Sequence, residues 1–524
     1  MKLKKMIVRI VFIAMVTGCA GGGKDIRPVT VVQVEKVTAV PAAEEIAVED
    51  GEVSAPLAVE WNDREVFRTG LISGEQAVLD DLDGASEYHL NVDISDDLKT
   101  VQGHLEVQYT NREDVVLEVV YFRLYPNVSG GKITVSNVKV DGASVEVSEQ
   151  YDRSALRVPL PAPLAVGETV LVSMDFVDEL PREMGGNYGL FGFFDNVIVL
   201  DEFLPTIAVY DDEGWNVEVP PPAGDWTHYD ASFFVVHVTA PSSLILASSG
   251  IEVARSEMDD RQEVTLVAGP VRTFYIAGSD DFIKVSQQMG ETIVNSYALS
   301  QWEDGARLAM EIASNSMQVF SERFGDYPYT EFDVVSTPML ALGIEYPGIT
   351  GITLLAYDLD NMVYGQSASA MMESTVAHEV GHQWFYNAVG NDQVDEPWLD
   401  ESVVQYITSL YYLDHYGESA AESYRQGAWY GRWERADMAD IPIGLPSGDY
   451  EDGAYVPAVY GRGPVFVATL AAEMGQEDFD VFLRAYYQAN KWGIAEGDDF
   501  RRLAETQCGC DLEQLFVDWV YAQE

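Results

Sequence analysis

From Tyr88 onward the chain alternates. Tyr88, Leu90, Val92 and Ile94 are separated by polar residues, and Leu105, Val107 and Tyr109 repeat the pattern. A period of two sends successive side chains to opposite faces, so these are strands with one face buried. Turn-rich breaks at NVSGGK and VDGAS, with further strand candidates at SFFVVHVTA and RTFYIAG, carry this character to about residue 285. After Tyr297 the period changes: Leu308, Ile312, Val319, Phe320 and Phe324 line one helical face, and Gly325 and Pro328 stop the helix. EFDVVSTPML reads as a strand, and helices dominate from about Ser367. In the last of them Asp511 is the expected N-cap, with Leu512, Leu515, Phe516, Trp519 and Val520 on one stripe. The expected fold is α+β and multidomain: a β-rich domain over 85–285, then an α-rich domain with a small sheet over 286–524.

The first residues follow neither period. Lys2, Lys4, Lys5 and Arg9 precede an apolar run from Ile10 to Val16, which is a secretory signal pattern too short to span a bilayer comfortably. Small residues before Cys19 resemble a bacterial lipobox, which implies a signal peptide over 1–18 and a lipid on Cys19. The stretch 19–84, rich at its start in Gly, Ala, Val, Pro and Glu, is expected to be a flexible tether. The protein would then sit in the bacterial cell envelope, outside the cytoplasm, held to a membrane by lipid alone. A formal charge of −55 leaves no basic face for phosphate backbones, which argues against nucleic-acid binding. The other two cysteines, Cys508 and Cys510, have no companion ligands for a metal and read as structural.

Chemistry enters at His378, Glu379 and His382, the pattern H-E-x-x-H within a helical stretch. Residues four apart on a helix are offset by only about 40°, so both imidazoles can meet one ion, while Glu379 points aside toward a metal-held water. Glu401 follows nineteen residues after His382, far enough for a loop around Gly390 and a second helix to return to the metal. Three protein ligands leave a fourth position for water, the arrangement of a catalytic zinc site. One zinc ion per chain is expected, with Glu379 as the base that takes the water's proton.

These blocks resemble the aminopeptidase N family of zinc metallopeptidases. HEVGHQW and WLDES match the family's H-E-x-x-H and W-L-x-E-G blocks at the family's own spacing. Gly343, Ile344, Glu345, Tyr346 and Pro347 resemble its G-x-M-E-N block, and VYGRGPVF resembles its Y-x-K-G block. The resemblance implies a saddle-shaped β domain before a thermolysin-like domain. It implies that Gly343 and Glu345 line the substrate cleft, with Glu345 on the substrate's free α-amine, and that Tyr460 hydrogen-bonds the oxyanion. A further amine-gripping acid is expected just before FLPTIAVYDDEGW, where Asp201 and Glu202 stand. Ser402 replaces the glycine after the third ligand, Arg462 replaces the lysine of the tyrosine block, and Thr408 stands where relatives often place an acidic residue that orients an imidazole.

The expected activity is zinc-dependent removal of N-terminal residues from peptides with a free N-terminus. With few residues after Tyr460, the chain resembles a short form lacking the family's C-terminal helical domain, which implies a more open cleft. That opening raises a thermolysin-like endopeptidase as the first alternative. A surface peptide-binding protein without catalysis is the second.

Overall fold

The computed structural model describes residues 59–184, 188–222 and 224–521. The signal segment, Cys19 and the first part of the tether lie outside the described residues.

The β-rich domain is built on one eight-stranded sheet. Its strands are β1 (Glu87–Ile94), β2 (Thr100–Thr110), β3 (Lys132–Val140), β4 (Ala143–Ser144), β5 (Thr169–Glu179), β6 (Ser232–Pro241), β7 (Ile251–Met258) and β8 (Arg261–Val271). They run in the order β7-β8-β6-β1-β2-β5-β3-β4. Alternation does what the sequence demands: Tyr88, Leu90, Val92 and Ile94 are buried while Asn91 and Asp93 face solvent. Smaller sheets complete the domain, among them a hairpin pairing Tyr210 and Asp211 with Trp215 and Gly214.

The α-rich domain opens with β9 (Phe282–Met289), β10 (Thr292–Leu299) and helix α1 (Glu303–Phe324). Strands β11 (Glu331–Thr337), β12 (Gly343–Tyr346) and β13 (Ile349–Thr353) then complete a five-stranded sheet ordered β9-β10-β11-β13-β12. Helices α2 (Ala368–Gly381), α3 (Glu401–Tyr416), α4 (Gly463–Met474) and α5 (Glu513–Trp519) follow. The aliphatic face of α1 is buried at Ile312 and Phe320, with Phe320 edge-on to Trp384.

Three boundaries differ from the sequence expectation. The domain junction drawn after residue 285 cuts through β9, which pairs with β10 in the five-stranded sheet, so the junction lies at the turn of Asp280 and Asp281. The tether drawn to residue 84 is shorter. Arg64–Gly70 forms a 3₁₀ helix, Phe67, Leu71, Val78 and Leu79 are buried, and Ile72 N donates to Pro328 O at 3.0 Å, so this stretch stitches both domains together. Asp511 lies one residue outside the N-cap of α5, which is Leu512, although its carboxylate accepts from Glu513 N at 3.0 Å. Cys508 and Cys510 are joined in a disulfide.

Arg272, just past β8, is buried, and among the described residues it makes no ion pair with a carboxylate. Its guanidinium donates to the carbonyls of Tyr229, Tyr386, Asn387, Ala388 and Gly493, at 2.5 to 3.2 Å. Four of these acceptors belong to the α-rich domain, in the loop that follows His382 and in a turn near the end of the chain. Burial lowers its pKa to about 10, so it stays charged at neutral pH.

Candidate metal centre

Helix α2 starts at a Ser367 cap whose side chain accepts from Ala370 N, and ends with His382 as C-cap in helical conformation. His378 and His382 therefore share a face, one turn apart. Asp400 caps α3 by accepting from Glu401 N at 2.8 Å, which presents Glu401 on the first helical residue. The three sequence-predicted ligands converge. His378 Nε2 lies 3.0 Å from Glu401 Oε2 and 3.1 Å from His382 Nε2, and His382 Nε2 lies 3.6 Å from the same carboxylate oxygen. Ligands at about 2.0–2.1 Å from a tetrahedral zinc stand roughly 3.3 Å apart, so the donor set fits that ion. All three residues are buried.

Burial sets the charge of His378, and the neighbouring carboxylates set that of His382. Burial lowers the His378 pKa to about 4, leaving a neutral imidazole. Burial opposes charge on His382, but Glu345, Glu401 and Glu379 outweigh it and raise its pKa. Burial also opposes charge on Glu401, yet the hydrogen bonds from the two imidazoles hold its carboxyl well below the usual range. His382 Nδ1 lies 3.2 Å from Phe385 O, which fixes that ring. Among the described residues His378 Nδ1 has no hydrogen-bond partner, and Thr408 turns its hydroxyl onto Val404 O of its own helix.

Glu379 is buried beside the ligands, and its Oε2 has no hydrogen-bond partner among the described residues. Burial, with Glu345 adding repulsion, pushes its pKa well up. Its Oε1 rests against Gly343 at the start of β12, where a Cβ would come within 2.3 Å. That close approach is why the position needs glycine. Two residues on, Glu345 accepts from Gln393 Nε2 at 2.7 Å, and the same amide nitrogen reaches Asp400 Oδ2 at 2.8 Å. Ligand atoms of Glu345, Glu379 and His382 all lie within 4.8 Å of one another.

Tyr460 sits on a π-helical turn, Pro457–Arg462, and donates its hydroxyl to Glu401 Oε1. Ser402 explains how this turn is held. Its Oγ donates to Val459 O at 2.7 Å, and a Cβ on Gly463 would lie 1.9 Å from the Ser402 Oγ. The serine that departs from the family block is thus accommodated by a glycine across the contact. Arg462 donates to the carbonyls of Ile441, Trp519 and Asp518 and packs over the Trp519 ring.

Two site residues escaped the sequence reading. Asp225 presents its carboxyl toward Glu345 and Glu401, and burial together with those charges pushes its pKa well up. Gln393 supports Glu345, and its own carbonyl oxygen accepts from Thr227 N at 3.1 Å. The expected acids upstream are placed differently. Glu202 has both oxygens engaged, by Tyr229 Oη at 2.7 Å and Thr273 Oγ1 at 2.9 Å, and Asp201 is buried beside Glu202 and Tyr346.

Residues 308–519 match the family description "Peptidase family M1 domain". The match covers less than half of the chain. The M1 match spans both histidines, Glu345, Glu379, Glu401 and Tyr460, and agrees with the aminopeptidase N resemblance of the four blocks. Among curated proteins, the chain is 23% identical to Aminopeptidase M1-B of Oryza sativa subsp. japonica, over 75% of this chain and 46% of that protein. It is also 23% identical to Probable aminopeptidase 2 of Sulfurisphaera tokodaii, over 53% of this chain and 36% of that protein. The chain thus spans less than half the length of these relatives. The fold matches the M1 zinc metallopeptidase of Deinococcus radiodurans with a TM-score of 0.64 at 20% identity, covering 83% of this chain and 93% of that one. A variant of a two-domain M1 zinc metallopeptidase bound to L-arginine gives the same TM-score and identity, covering 84% and 94%. Two domains, β-rich and then helical, are therefore the shared fold.

Proposed function

We propose that this protein is a zinc-dependent aminopeptidase. The observation that carries the reading is the convergence of His378, His382 and Glu401 at tetrahedral spacing, with Glu379 and Glu345 turned into the same buried space. His378, His382 and Glu401 would hold the zinc, which supplies the Lewis acidity that makes water a nucleophile at neutral pH. Glu379 takes the proton of the attacking water and returns it to the leaving amine. Its raised pKa suits a group that must carry that proton in mid-reaction. Glu345, oriented by Gln393 and with Asp225 nearby, makes a carboxyl-lined pocket that receives the substrate's α-amine. Tyr460 leaves Glu401 to hydrogen-bond the oxyanion. The buried cluster of carboxylates favours a charged N-terminus over the middle of a peptide, and so favours the aminopeptidase over the endopeptidase reading.

Hydrolysis of a peptide and its N-acetylated twin by the purified full-length chain tests this. Stepwise loss of N-terminal residues from the free-amine peptide alone is expected, abolished in Glu379→Gln with zinc still bound. Equal internal cleavage of both peptides would move the assignment to an endopeptidase. A zinc-loaded but inert protein would move it to a peptide-binding role.

The envelope location and lipid anchor rest on the N-terminal sequence, Lys-rich and apolar before Cys19. Mass spectrometry of the mature N-terminus should find acyl chains on Cys19, and an unmodified N-terminus upstream of it would sink this part of the reading.

A further inference from the structure

Away from the metal centre, three residues from three segments meet at the seam between the domains. Asp211 comes from the hairpin of Tyr210–Asp211 and Gly214–Trp215, His228 from the stretch leading into β6, and Asp392 from the loop between α2 and α3. One ligand atom from each lies within 4.8 Å of the others. His228 Nδ1 stands 2.8 Å from Asp392 Oδ2, with its side chain 9% exposed. Yet this nitrogen makes no hydrogen bond among the described residues, so the close approach to Asp392 lacks hydrogen-bond alignment. A buried imidazole nitrogen drawn up to a carboxylate out of line, with a second carboxylate facing both, is a geometry that a shared cation explains.

Hydrogen bonds fix both carboxylates. Asp392 Oδ1 accepts from Val394 N at 2.8 Å and Asp395 N at 3.0 Å, leaving Oδ2 toward His228. Asp211 Oδ1 accepts from Glu213 N at 2.9 Å and Oδ2 from Asn216 Nδ2 at 2.6 Å, which fixes the carboxylate while leaving lone pairs available.

We propose that Asp211, His228 and Asp392 bind a divalent transition-metal ion, a second site distinct from His378, His382 and Glu401. One imidazole with two carboxylates suits zinc or manganese, with water completing the shell, better than the all-oxygen shells of calcium or magnesium. The site clamps the β-rich domain to the loop that positions the metal centre. Directly beside it, Thr227 N donates to Gln393, whose amide holds Glu345 and Asp400. An ion at the seam would therefore stiffen the support of the amine pocket without touching substrate.

Chelator-stripped full-length protein titrated with Zn²⁺ by calorimetry, with bound metal counted by elemental mass spectrometry, tests the proposal. Two equivalents are expected in the parent. The Asp211→Asn/His228→Gln protein should bind one, and so should His378→Ala/His382→Ala, whose single equivalent then belongs to the seam. Should His228→Gln fail to fold, Asp211→Asn alone, on the partly exposed hairpin, should weaken the second equivalent at least tenfold in Kd. One equivalent in the parent, or none in His378→Ala/His382→Ala, overturns the proposal and leaves His228 as an imidazolium between two aspartates. Because the second site is counted in a protein without the first, its failure is separable from failure of the aminopeptidase reading.

Discussion

Gly343 and Glu379 illustrate how little slack the site has at the scale of single residues. A methyl at position 343 would meet Glu379 Oε1 at 2.3 Å, so Gly343→Ala must push the base aside. A misplacement of about 1 Å can cost on the order of 10²-fold in rate. The expected outcome is a kcat about a hundredfold lower with zinc content unchanged, measured by steady-state kinetics and elemental analysis. Full activity in Gly343→Ala would mean that Glu379 does not act from the position seen here. At Glu345 the effect should fall on binding: Glu345→Ala should raise KM for free-amine peptides at least tenfold, and an equal change for any residual cleavage of N-acetylated peptides would argue against amine anchoring. The convergence of His378 and His382 was legible in the sequence because helical spacing makes H-E-x-x-H a geometric statement. Asp225 and Gln393 were not. Both lie on irregular loops, where no period tells which way a side chain points, and they meet Glu345 only through folding of segments far apart in sequence.

At the scale of elements, the junction between domains shows the limit of pattern reading. Strand β9 lacks the clean alternation of the first sheet: Phe282 and Val285 are buried and the residues between them are half-buried, so its pattern does not say against which sheet it packs. Only its pairing with β10 assigns it to the catalytic domain. The stretch before β1 was hidden for another reason: a seven-residue 3₁₀ helix is too short for its period to stand out, although Phe67 and Leu71 anchor it. The loop into α3 makes a prediction about pH. Burial, then Glu496, Asp392 and Asp498, raise the Glu396 pKa from 4.5 to about 7, against the pull of Gly497 N on its carboxylate. The folded state thus holds this proton more tightly than the unfolded one, and stability from this group is lost as pH rises from about 4.5 to about 7. Glu396→Gln keeps an acceptor for Gly497 N and removes the charge. It should be more stable than the parent at pH 8, by up to ~3 kcal/mol, with the difference closing below pH 5. Urea unfolding at both pH values checks this, and identical curves at pH 8 would refute it.

For the whole molecule the dominant quantity is the charge of −55. Self-repulsion of this kind opposes the compact state and is screened as the Debye length falls from about 10 Å at 0.1 M salt to about 3 Å at 1 M. The melting temperature should therefore rise with sodium chloride over that range, and a fall would show that attractive ion pairs outweigh the repulsion. Chelation should act the other way, lowering the melting temperature by removing ions that bind only the folded chain. The cross-domain clamp at Arg272 has a further consequence, for anyone who would cut this protein in two. Expressed alone, residues 282–521 would leave the carbonyls of Tyr386, Asn387, Ala388 and Gly493 facing a guanidinium-sized hole, while the other fragment would carry an arginine with one acceptor left. Neither half is then a minimal enzyme, and a proteolytic nick near residue 280 should leave the two pieces co-purifying as one body rather than releasing an autonomous peptidase.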